Sequence, residues 1–243
     1  MRTEISNNGT TRALLAGGVL AGPLYILVAL IQGFTRQGFD LSRHDVSLLS
    51  NGDLGWIQIT NFLVTGLLVI AGAVGMQQAL PSGKARTWGP LLVSVYGLGL
   101  IGAGIYAADP AFGFPPGTPE GSPAAISLHG LMHFVSAAVG FFSLIAACFV
   151  FARRFAALGQ RSWAAYSVIT GVVFFAGFFG VASGSGRSWT VIGFWIAVVL
   201  AWSWISAMAV RLLTVPGGLK DQNDIQQKDP FSKIKDNYSK EIS

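Results

Sequence analysis

Six stretches of this chain, residues 13–34, 56–80, 88–108, 125–152, 162–182 and 189–213, are each apolar and long enough to cross a lipid bilayer. A hydrocarbon core about 30 Å thick takes about 20 residues of helix. None of the six holds an Asp, Glu, Lys or Arg away from its ends, as spanning segments require where an ionised side chain in hydrocarbon is costly. Of the 243 residues, 52% are hydrophobic and 11% charged, against roughly 25% charged in a soluble domain. That composition rules out a disordered chain and argues strongly against a soluble enzyme. The ten-residue alternation of a transmembrane barrel is absent, and the first segment is too long for the apolar part of a secretory signal. The expected fold is an all-α membrane protein, a six-transmembrane-helix bundle at residues 13–213, with an N-terminal arm at 1–12 and a polar, disordered tail at 214–243.

Basic flanks are retained in the cytoplasm. Arg2, Arg12, Lys84, Arg86, Arg153, Arg154, Arg161 and Arg211 fall on one side, and only Arg36, Arg43 and Arg187 on the other. Both termini are therefore expected in the cytoplasm. The net charge of +5 follows from this asymmetry, and because the cations are scattered singly, nucleic acid is not an expected partner. The one cysteine, Cys148, permits neither an internal disulfide nor a thiolate zinc knuckle.

The informative polar residues gather on the expected outer side. The connection at 109–124 reads DPAFGFPPGTPEGSPA and is expected to be stiff and mostly extended. Its Ser122–Pro123 pair reads as the cap and first position of helix four. His129 and His133 then share one helix face, continued by Ser136 and Gly140. Two imidazoles at i and i+4, with Asp109 as a third ligand, are a possible zinc site, which Asp45 or His44 would supplement. The same histidines better suit hydrogen bonding between helices or positioning of a ligand, since no Glu lies between them. In the second segment Gln58, Asn61 and Thr65 form another polar stripe, beneath Asp45, Ser47 and Asp53. These stripes suggest one outward pocket of Asp45, Gln58, Asn61, Asp109, His129, His133 and Ser136.

Three functions follow. The first is binding of a lipid headgroup or small polar ligand in that pocket. The second is a metal-dependent membrane hydrolase with His129, His133 and Asp109 as ligands and Asp45 or Asp53 as base. The third is a small-solute transporter, disfavoured because no inverted repeat and no mid-membrane charge is visible.

The runs VSLLSNGDLGWIQITNFLVTGLL from Val46, DPAFGFPPGTP from Asp109, SLHGLMH from Ser127 and ACFVFARRF from Ala147 resemble the bacterial integral-membrane family of domain of unknown function 998, over residues 14–213. The resemblance implies a small multi-helix protein of the bacterial cytoplasmic membrane, with no established activity to carry over. The family's acidic residue after helix three and His at the start of helix four correspond to Asp109 and His129. The HGLMH run is also similar to the paired-His element of the intramembrane hydrolases that include alkaline ceramidases. This chain lacks their seventh helix and a third intramembrane histidine.

Overall fold

The computed structural model describes residues 9–123, 125–183 and 186–214. The tail expected at 214–243 lies, apart from Thr214, outside the described residues, as does most of the arm at 1–12. The described residues hold six helices, each long and apolar enough to cross a membrane: α1 Gly9–Thr35, α2 Gly55–Ala79, α3 Lys84–Ile105, α4 Leu128–Ala157, α5 Arg161–Ser183 and α6 Ser188–Thr214. A short 3₁₀ helix, Val46–Ser50, precedes α2. The described residues contain no β-strand. The chain is a multi-pass, all-helical membrane protein.

The helices form a ring, since each packs on its neighbours in chain order and α6 closes on α1. Missing side chains let the backbones meet. A Cβ on Gly18 would lie 3.1 Å from Gly72 Cα at the α1–α2 seam, and one on Gly99 2.8 Å from Gly140 Cα at the α3–α4 seam. These are the close approaches that membrane helices use in place of a hydrophobic drive. Large aromatic side chains fill the interior, with Tyr25 stacked on Trp202 at 4.4 Å between centroids. Leu27, Phe34, Leu67, Leu98, Phe142 and Ile196 point outward, as side chains in contact with acyl chains should.

Three helix ends differ from the sequence expectation. Helix α3 starts at Lys84, so Lys84 and Arg86 occupy its first turn and Pro90 sits in the second. Helix α4 runs on to Ala157, which places Arg153 and Arg154 in its last turns. Its start is later than Ser122–Pro123 suggested: Ser127 is the cap, its hydroxyl accepting from Gly130 N at 3.0 Å. Asp109 decides this, its carboxylate accepting from both Ser127 N and Ser127 Oγ.

The connections at 36–54 and 106–127 interlock over one end of the ring, called here the loop end. The second of these is compact rather than extended. Ala111 and Phe114 exchange backbone hydrogen bonds, Phe112 N donates to Gly121 O, and Gly113 N donates to Pro119 O. Phe114, 1% exposed, starts a small second core with Leu48 and Ala111. The Phe39 ring meets it edge-on at 5.1 Å, and the Arg36 guanidinium lies 4.9 Å above it while donating to Leu49 O and Asn51 O. Partial burial lowers the Arg36 pKa, against the pull of Asp53. Arg43 pairs with Glu120 at 2.5 Å. His44 is buried: its Nδ1 accepts from Asp40 N at 2.8 Å, so Nε2 carries the proton and donates to Phe112 O at 2.9 Å. It ties loop to loop.

Candidate functional site

Beneath the interlocked loops, the ends of α4, α5 and α6 border a cleft of about 260 Å³. Its polar side is built from Arg43, Asp45, Ser47, Asp109 and His133, and its apolar wall includes Phe134, Phe141, Phe178 and Phe194. Ser47, His133, Ala137, Phe141 and Phe194 also line a smaller cavity on the ring axis, of about 20 Å³. That space suits a single water. Each helix sends a ring into it: Tyr25, Phe62, Tyr96, His133, Phe174 and Trp202.

His133 stands at the junction of the two spaces, 7% exposed. Its Nδ1 is 2.8 Å from Tyr106 O and 3.1 Å from Ala103 O at the end of α3. Carbonyls only accept, so Nδ1 carries the proton and Nε2 is the ring's remaining polar group. Asp45 caps the 3₁₀ helix, accepting from Ser47 N at 3.0 Å through Oδ1. That leaves Oδ2 without a hydrogen-bond partner among the described residues. Nearby Asp40, its carboxylate accepting from Ser42 N and Oγ, is held below the usual carboxylate range by those bonds. Asp109 lies against the first turn of α4, where the helix dipole favours a negative charge. A side chain at position 130 would overlap its carboxylate, so Gly130 makes the room.

The seven residues expected to share one pocket are distributed among four places. Asp45, Asp109 and His133 border the cleft. His129 is exposed in the first turn of α4, edge-on to Tyr106 at 5.6 Å, and borders neither space. Ser136 packs at the α3–α4 seam, where a Cβ on Gly102 would lie 2.6 Å from its Oγ. Gln58 and Asn61 are buried between α1 and α2. The helical spacing of the two histidines holds, but α3 ends at Ile105 and leaves His129 uncovered. Among the described residues no three His, Cys, Asp or Glu side chains are grouped to hold a metal ion, and Asp109 turns both oxygens to Ser127.

The α1–α2 cluster adds Gln32, which sequence reasoning passed over. Gln32 Nε2 donates to Gln58 Oε1 at 2.9 Å and to Val28 O at 3.3 Å. Asn61 Nδ2 donates to Tyr25 O at 3.2 Å and to the same Gln58 Oε1 at 3.3 Å. The two backbone carbonyls fix the amide orientations. Gln32 Oε1, Gln58 Nε2 and Asn61 Oδ1 are left buried without partners. A single amide in an otherwise apolar first segment was the available signal for Gln32. The phenylalanine wall carried none, since Phe141, Phe178 and Phe194 resemble the many lipid-facing phenylalanines.

No curated protein and no solved structure matches the chain. The family model described as "Protein of unknown function (DUF998)" matches residues 19–211, from within α1 to near the end of α6. It spans every helix of the ring and both interlocked loops, so the resemblance carried by the loop and helix-four runs holds, and the chain belongs to the DUF998 family of proteins of unknown function.

Proposed function

We propose that the chain is a binding protein of the bacterial cytoplasmic membrane, both termini in the cytoplasm, whose loop-end cleft faces outward and holds a lipid headgroup or small polar ligand. The observation that carries this reading is the two-sided character of the cleft. Asp45 with an uncommitted carboxylate oxygen, Ser47 and His133 offer hydrogen-bonding groups on one side, and Phe134, Phe141, Phe178 and Phe194 line the other. Ligand sites combine a mostly apolar lining with a few convergent polar groups in this way. The acceptors favour a ligand that presents a hydroxyl or ammonium group. Arg43 is already paired with Glu120, and the Asp109 oxygens are both taken by Ser127, which leaves the second Asp45 oxygen as the charged acceptor that a ligand would meet.

Native mass spectrometry of the protein released from its membrane in mild detergent tests the reading. The wild type should retain a small polar or amphiphilic adduct. Ala137→Phe, which fills the junction of cleft and axial cavity, should lose it while circular dichroism stays unchanged. Equal retention by both proteins, or by neither, would refute the cleft as the site.

A further inference from the structure

The end of the ring opposite the interlocked loops has a hollow of its own, of about 510 Å³, between the start of α3 and the end of α4. Lys84 comes from α3 and Arg153 and Arg154 from α4, with Trp88, Val150 and Leu158 completing the walls. Every carboxylate among the described residues belongs to the loop-end connections, and the ion pair found among them, Arg43–Glu120, is there as well. Lys84 and Arg153 have no side-chain hydrogen bond or ion pair among the described residues. Two other cations of this end are engaged elsewhere. Arg86 Nε donates to Gln77 O at 3.1 Å, and Arg211 donates to Gln160 Oε1 at 2.7 Å with its guanidinium 4.5 Å over the Trp163 ring.

The hollow therefore concentrates positive charge where the helices leave the hydrocarbon. Trp88 is 55% exposed on its flank, and Leu91, one turn deeper on the same face of α3, is exposed too. An indole at this level is characteristic of the membrane interface, and basic hollows between membrane helices hold anionic headgroups. A soluble anion has no use for the apolar flank, and a zwitterionic lipid has little for three cations. We propose that this hollow binds an anionic phospholipid. Its phosphodiester lies among Lys84, Arg153 and Arg154, and its acyl chains descend past Trp88 and Leu91.

The test is native mass spectrometry of the full-length protein in detergent, titrated with cardiolipin, phosphatidylglycerol or phosphatidylcholine. Anionic lipid should bind at least about tenfold more tightly than phosphatidylcholine, and Lys84→Gln/Arg153→Gln should remove most of that preference. Arg86→Gln/Arg161→Gln takes the same charge from the same end outside the hollow and should keep it. Equal losses in the two double variants would reduce the effect to general attraction, and no loss in the first would exclude the hollow; either overturns the proposal. Displacement of the lipid by millimolar inorganic phosphate would overturn the lipid assignment. If the first double variant fails to assemble, single Lys84→Gln, an exposed position, gives the same readout.

Discussion

Gln58 Oε1 receives two amide N–H groups at once, from Gln32 and from Asn61, and all three side chains are buried. Gln58→Leu removes the shared acceptor while each donor keeps one backbone carbonyl, so the loss should be modest, about 1 kcal/mol. Gln32→Leu/Gln58→Leu deletes both members of the closest pair together with two of the three orphaned atoms. Replacing both partners by apolar groups is close to neutral, so the double variant should melt at or above the temperature of Gln58→Leu. A thermal-melt comparison in one detergent decides this, and non-additivity is the expected signature of side chains in contact. His133 works differently, since its proton is committed to α3 and its second nitrogen is the part left for a ligand. Residue-scale roles of this kind were only half legible in the sequence. The spacing of His129 and His133 announced a shared face, but which of the two is covered depended on where α3 stops.

At the scale of elements, the six spans could be read directly, because about 20 apolar residues in a row without a charge are what crossing a bilayer demands. The start of α4 could not. Ser122–Pro123 is a sound local start signal, but Asp109, held by the end of α3, draws Ser127 into the capping position from eighteen residues away. The folding of the 106–127 connection was hidden for the same reason, since Phe114 is buried by Phe39 and Leu48 from another loop. Ser127→Ala should therefore cost about 1 kcal/mol, measured as a lower melting temperature, because it removes both the cap and the hydroxyl partner of Asp109. Glycine seams give a second check. Gly99→Ala forces its new methyl onto Ser136 O and Gly140 and should destabilise by about 1–3 kcal/mol. Gly193→Ala, with open space around it, should be neutral or slightly stabilising, as helix propensity dictates.

For the whole molecule, the two ends of the ring differ in chemistry: one carries interlocked loops and all the described carboxylates, the other mainly cations. This polarity predicts orientation. Cys148 is buried and should react poorly with a membrane-impermeant maleimide, so a cysteine placed at Glu120 or at Arg161 reports its own side. Glu120→Cys should label from outside intact cells, and Arg161→Cys only after lysis. The reverse pattern would invert the topology and place the phenylalanine-lined cleft on the cytoplasmic face. The closure of the ring through its first and last helices bears in turn on synthesis. Tyr25 waits for Trp202, the gap at Gly22 waits for the Trp202 backbone and Ser206, and Val19 O receives its side-chain donor from Ser206. A ribosome that has threaded five helices into the bilayer has thus produced an open horseshoe, its leading edge still bare. Truncated products that end before α6 should be recognised and cleared by membrane quality-control proteases, and assembly of the native ring can finish only after translation of the final span.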